Sequence, residues 1–142
     1  MTSAEFSSLP LLPVLLQSVE SLGYQQMTSI QQQSLPAMLA GKDVLAKSKT
    51  GSGKTAAFSL PILERLHLQT FRPQALILTP TRELASQVAR ELRRLGRRHP
   101  GLKVVVLSGG EPLRVQSTAL EAGAHILVAT PGRILDHLER EN

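Results

Sequence analysis

The 142-residue sequence contains no cysteine and no tryptophan, and aromatic residues make up only 3% of it. Without cysteine there is no disulfide scaffold and no thiolate metal site. With one Tyr and three Phe, recognition of bases by rows of stacked rings is excluded as a main mode. No apolar run reaches the ~20 residues that span a bilayer. No Lys or Arg precedes Lys42, so the basic start of a secretory signal is missing as well. These absences predict a cytoplasmic protein with no membrane partner. What is present, 42% hydrophobic and 19% charged residues, suits one packed domain that buries roughly two thirds of its unfolded surface.

The net charge of +5 is not spread evenly. Residues 82–103 hold seven basic groups (Arg82, Arg90, Arg93, Arg94, Arg97, Arg98 and Lys103) against Glu83 and Glu91. The rest of the chain sums to zero. A local positive field suits a polyanion-facing surface, although a solvated helix face has the same composition. Within this stretch Leu84, Val88, Leu92 and Leu95 recur at helical spacing, so part of it is structural.

Four short apolar runs read as buried strands: Val44–Ala46, Ala75–Leu78, Val104–Leu107 and Ile126–Ala129. Helix-compatible segments alternate with them. Leu12–Leu22 and Ile30–Leu39 precede the first run, and Lys54–Leu66, Glu83–Arg97, Pro112–Glu121 and Gly132–Leu138 follow the four in turn. Alternation of this kind predicts an α/β fold on a parallel sheet.

After the first run comes Ser48-Lys49-Thr50-Gly51-Ser52-Gly53-Lys54-Thr55, a phosphate-binding loop but for its opening Ser48, where the pattern has Gly. Glycines let backbone N–H groups curl around phosphate oxygens, Lys54 reaches the outer phosphates, and the Thr55 hydroxyl ligates Mg²⁺. The same stretch also fits a dinucleotide fingerprint, Gly51-x-Gly53-x-x-Ala56. That reading fails because the next strand ends in Thr79-Pro80 rather than an acidic residue.

Two later strands end alike. Thr79-Pro80-Thr81-Arg82 and Thr130-Pro131-Gly132-Arg133 each put an Arg in the first turn of the following helix. Capping explains Thr and Pro. It does not explain a cation at the positive end of a helix, which makes more sense with an anion between the Arg and the free N–H groups. Upstream, Phe6 and Gly23–Gln31 offer ring faces (Phe6, Tyr24) and a carboxamide (Gln31) able to bond an adenine edge. A polar helix face and a core anchor account for them equally well.

These segments, in this order, resemble the first RecA-like domain of DEAD-box RNA helicases. Phe6 and Gly23-Tyr24 through Thr28-x-Ile30-Gln31 match the family's Q motif, and Ser48–Thr55 its motif I. Pro80-Thr81-Arg82-Glu83-Leu84-Ala85 matches motif Ia, Gly109-Gly110 the GG element, and Thr130-Pro131-Gly132-Arg133 motif Ib. Met27 stands where many members carry Pro. Within the family the chain looks most like a bacterial type that remodels ribosomal RNA.

The resemblance implies a RecA-like P-loop three-layer sandwich with a parallel sheet, truncated before motif II. Residues 4–32 would be the Q-motif region, and 33–142 the ATP-binding domain, incomplete at its C-terminus. It implies ATP and Mg²⁺ as cofactors, with Phe6, Tyr24, Thr28, Gln31, Ser48, Lys49, Thr50, Gly51, Ser52, Gly53, Lys54 and Thr55 around the nucleotide. Lys54 and Thr55 would carry the catalytic roles, and Thr55 the metal. It further implies an RNA-backbone surface of Pro80, Thr81, Arg82, Glu83, Gly109, Gly110, Thr130, Pro131, Gly132 and Arg133. The other implied partner is a second RecA-like domain, in a protein that is monomeric at full length.

No Asp-Glu-Ala-Asp quartet occurs in the sequence. The chain by itself is therefore expected to be poorly soluble and unable to hydrolyse ATP. The alternatives are another P-loop enzyme, such as a small-molecule kinase, and a nucleotide- or RNA-binding remnant without turnover.

Overall fold

The computed structural model describes residues 4–51 and 53–142. Its regular elements are a 3-10 turn at Phe6–Ser8, then α1 (Pro13–Ser21), α2 (Ser29–Leu39), α3 (Lys54–Arg65), β1 (Ala75–Leu78), α4 (Arg82–Leu95), β2 (Val104–Leu107), α5 (Leu113–Ala122), β3 (Ile126–Ala129) and α6 (Pro131–Glu139). The chain divides into two compact units. One runs up to Arg65 and takes in Arg94–His99; the other is Leu66–Arg93 with Pro100–Asn142.

The first unit is helical. Pro13 opens α1 at a position where its missing N–H costs nothing. Leu15 and Val19 of α1, Leu35 of α2 and Leu60 and Leu63 of α3 are almost fully buried. They recur at three- and four-residue intervals, which puts them on the inner stripe of each helix. Glu64 anchors the entry to α1 by accepting the Leu12 N–H at 2.8 Å.

The second unit is an open parallel sheet in the order β1-β3-β2. Ala75, Ile126 and Val104 lie in register, as do Leu78, Ala129 and Leu107. Each strand is followed by a helix, which returns the chain to the same end for a parallel neighbour. The central β3 is buried along its whole length. Leu107, Ala124, Leu127 and Ala129 form a core onto which Val105, Leu120 and Ile134 pack.

Three of the expected strands form with the expected bounds; the fourth does not. Val44–Ala46 takes no strand structure, and Leu45 is 101% exposed. A strand needs a hydrogen-bonded neighbour, and no described strand pairs with this segment. The edge strand β1 also departs from the buried pattern, with Leu76 and Leu78 about half exposed on one face. Leu84, expected on the apolar stripe of α4, is exposed, whereas Ala85, Val88, Ala89, Leu92 and Leu95 make the buried face. At 100° per residue, the buried set 88, 89, 92 and 95 centres about 30° from position 85 and about 70° from position 84.

Candidate functional site

The phosphate loop belongs to the first unit. Lys49, Thr50 and Gly51 are exposed, Ser48 and Gly53 are half-buried, and Ser52 lies outside the described residues. Lys54 and Thr55 open α3, and Lys54 Nζ donates back to the Ser48 carbonyl. Gly53 has φ +90°, and a Cβ there would run into the Gln31 carboxamide. The position thus requires glycine twice over, for its dihedral and for the close approach.

That approach carries a hydrogen bond. Gln31 is 3% exposed; its Nε2 donates to the Gly53 carbonyl at 3.1 Å, and its Oε1 accepts the Thr28 N–H at 2.9 Å. The second contact is the reach-back half of a capping box at the start of α2. Gln31 and Thr28 therefore meet the phosphate loop. Phe6 and Tyr24 form a separate pair, with ring centroids 6.4 Å apart. They line a cavity of about 410 Å³ whose walls include Glu5, Leu16, Val19, Glu20 and Gln26 but not Gln31. In this structure both ends of the Gln31 carboxamide are engaged, apart from the cavity beside the two rings. Met27, at the family's Pro position, keeps its N–H and donates it to the Ala4 carbonyl at 2.6 Å.

The loops after β1, β2 and β3 belong to the second unit and emerge together at the carboxyl ends of the strands. Thr81 Oγ1 accepts the Leu84 N–H at 3.2 Å and so caps α4. Thr130 makes no side-chain cap, and α6 starts instead on Pro131 at its first turn. Both first-turn arginines reach the Ser108–Glu111 turn, which follows β2. Arg82 Nη1 donates to Gly109 O at 3.5 Å, and Arg133 Nη1 donates to Glu111 O at 2.9 Å. Gly110 has φ +95°, and a Cβ there would strike the Arg82 guanidinium. Pro80, Glu83, Pro131 and Gly132 are exposed at the same end.

Carbonyl oxygens thus take part of the negative role that the sequence assigned to a bound anion. Each guanidinium has five N–H donors, and these contacts use only some of them. A cavity of about 650 Å³ opens beside the turn, lined by Arg82, Ser86, Arg93, Gly109, Gly110 and Gln116 among others.

Sequence reasoning missed Gln116 and His137. Gln116 is 1% exposed and His137 2%. Gln116 Nε2 donates to Ser108 O at 2.8 Å, and its Oε1 faces His137 Nε2 at 2.8 Å. His137 Nδ1 lies 2.9 Å from Asn142 Nδ2. Burial, then the nearby Arg133 and Arg140, hold the His137 pKa below its usual value of 6.5, with Asp136 opposing. The one available signal was position: Leu113, Gln116 and Leu120 share a helical stripe, so a polar residue there is buried and must be bonded.

Glycines at Gly51 (φ +82°) and Gly53, a lysine and a helix N-terminus fit a phosphate chain. Among the described residues no group of three or more His, Asp or Glu is placed to hold a metal ion. Thr55 therefore fits a cation only as one ligand beside the phosphates. Among the described residues no helix is long and apolar enough to cross a membrane.

Comparison with known proteins points the same way. The ATP-dependent RNA helicase DbpA of Escherichia coli (strain K12) is 54% identical over 136 residues, 95% of this chain and 30% of that protein. The ATP-dependent RNA helicase DeaD of Mycobacterium tuberculosis (strain H37Rv) is 44% identical over 139 residues, 98% of this chain and 25% of that protein. The solved structure of a DEAD box protein from the hyperthermophile Methanococcus jannaschii superposes with a TM-score of 0.91 at 40% identity, over 96% of this chain and 37% of that one. The chain spans 30% or less of these two curated relatives. The DEAD/DEAH box helicase family matches residues 28–142, and with the fold shared as well, the chain belongs to that family.

Proposed function

We propose that this chain is the ATP-binding and RNA-backbone-binding part of an ATP-dependent RNA helicase. The observation that carries the reading is the Gln31–Gly53 hydrogen bond, which ties the base-side motif to the phosphate loop. Family membership and the relatives' names support it. In this reading Phe6, Tyr24, Thr28 and Gln31 of the 4–32 region hold the adenine side, and residues 33–142 hold the phosphates and RNA.

The backbone N–H groups of Lys49–Gly53 receive the phosphates. Lys54 exchanges the neutral Ser48 carbonyl for a charged oxygen, which makes the stronger hydrogen bond. Gln31 meets the base only by giving up the Thr28 N–H and Gly53 O, so base binding reports directly on the loop. Thr55 is the residue that would ligate Mg²⁺, and bound Mg²⁺ would neutralise charge on the phosphates. Arg82, Thr81, Gly109, Gly110, Thr130 and Arg133 hold RNA phosphates, which positions a strand without reading its sequence. We extend the reading to ribosomal RNA remodelling in the cytoplasm. The protein would be monomeric at full length, with a second RecA-like domain closing on the same RNA.

A fluorescent ATP analogue tests it. The analogue should bind the full chain and be displaced by ADP and not by GDP. Lys54→Ala should weaken binding roughly tenfold to a hundredfold, the worth of a charge-assisted contact. RNA-stimulated phosphate release should not exceed the Lys54→Ala background, because the chain has no Asp-Glu-Ala-Asp quartet. Equal displacement by GDP would sink the adenine reading. Turnover by this chain alone would sink the division of labour.

A further inference from the structure

Gln116 and His137 sit where apolar residues would pack without cost. A buried carboxamide is tolerated only when its polar atoms are satisfied, and two apolar residues would remove that demand. Here both ends of Gln116 are engaged by different segments: Ser108 O on the turn after β2, and His137 Nε2 on α6. Arg133 Nη1, which holds Glu111 O, also lies 3.5 Å from Gln116 Oε1. One side chain on α5 thus sets the distance between the Gly109-Gly110 turn and the helix that starts at Thr130.

We propose that Gln116 and His137 are positioning residues that lock the Ser108–Glu111 turn to the Thr130–Arg133 helix start, so that both meet one nucleic-acid backbone in fixed register. The proposal rests on the RNA reading above. Neither residue touches the RNA. They act through Ser108 and Arg133, and the geometry explains why a polar pair stands in a core. Fixed spacing matters for a phosphate track, because successive phosphates along a strand are not free to move apart to suit two independent loops. A polar network fully satisfied in one arrangement excludes the alternatives that a greasy contact would permit.

Hydrogen exchange and RNA binding, measured on the full chain, separate the possibilities. Gln116→Leu should speed amide exchange in 108–111 and 130–133 together, by roughly tenfold, while 75–78 changes less than about twofold. Its affinity for a fluorescent oligouridylate should fall by up to about tenfold, the worth of one or two net hydrogen bonds. The salt dependence should keep its slope, since no phosphate contact is deleted, and affinity for the ATP analogue should not change. His137→Gln, which keeps an N–H donor toward Gln116 Oε1, should keep most of the coupling. Should Gln116→Leu not fold, Gln116→Glu keeps the shape, replaces the donor to Ser108 O by a carboxylate oxygen and adds a negative charge beside Arg133; it should loosen the turn and weaken RNA. Independent responses of the two loops would overturn the proposal. So would coupled loosening with unchanged RNA affinity. If the wild-type chain binds no oligouridylate, the RNA reading itself falls, and coupled exchange would then mark the pair as purely structural.

Discussion

Residues 42–53 and the loops after β1, β2 and β3 share one sequence grammar: a short apolar run, a turn rich in Gly, Thr or Pro, and a helix. They behave differently in the structure. The run before the phosphate loop pairs with no described strand, and Leu45 stands in solvent. The runs before the other loops are hydrogen-bonded in register, and β3 is buried throughout. The phosphate loop is held from outside by Gln31 and by Lys54 folding onto Ser48. The other loops are held from beneath by strands and from the side by Gln116. An apolar run therefore becomes a strand only where a neighbour completes its backbone hydrogen bonds.

Truncating one side chain in each run tests this contrast most directly. Ile126→Ala, at a fully buried site in the central strand, should cost about 2–5 kcal/mol. Leu45→Ala should stay within about 0.5 kcal/mol, because the side chain has no surroundings to lose. Urea unfolding of the two variants gives the answer. A large loss at Leu45 would mean that the 44–46 segment is packed in solution, and the contrast would collapse.

How much of this was legible beforehand follows from the range of the interactions. β1, β2 and β3 were readable to the residue because Val, Ile and Leu runs bounded by Gly, Pro and Thr are local signals. The missing strand at 44–46 was not readable, because pairing is a property of a distant segment. The first-turn arginines were visible as oddities, but their carbonyl partners at Gly109 and Glu111 were not, since those contacts join residues 27 and 22 positions apart. Gln31 stood out in the sequence, while its attachment to Gly53 depends on a 22-residue separation that no spacing rule encodes. Gln116 was overlooked because polarity normally argues for the surface.

The two arginines refine the comparison within the sheet unit. Arg82 makes one long contact to Gly109 O, whereas Arg133 bonds Glu111 O at 2.9 Å and lies 3.6 Å from Asp136 Oδ2. If both hold phosphates, either Arg→Ala change should lower the salt dependence of RNA affinity by about one ion. Only Arg133→Ala should also cost stability, about 1 kcal/mol for the lost hydrogen bond. Fluorescence anisotropy across a salt series and unfolding of the same samples separate the two effects. An unchanged slope for both variants would remove these residues from the backbone surface.

The smallest expected effect concerns His137, and its sign follows from the bonding. Gln116 Nε2 donates to Ser108 O, so its Oε1 must accept, and His137 Nε2 carries the hydrogen between them. That leaves Nδ1 bare to accept from Asn142 Nδ2. The imidazole is satisfied when neutral; a second proton would set two donors face to face, beside Arg133. Burial and Arg133 accordingly lower the folded pKa, while the unfolded chain protonates near the ordinary 6.5. In the interval between those values the unfolded state binds more protons, so stability rises with pH there. The contribution is complete above the unfolded pKa, begins to fade as pH falls through about 6.5, and is lost by the lowered folded value. Wild type and His137→Gln, unfolded in urea at pH 8 and again at pH 5.5, isolate this group from the other histidines. Wild type should lose more stability on acidification than the variant does. Parallel losses would show that protonation of His137 is not resisted by the fold, and would leave the buried pair without its electrostatic character.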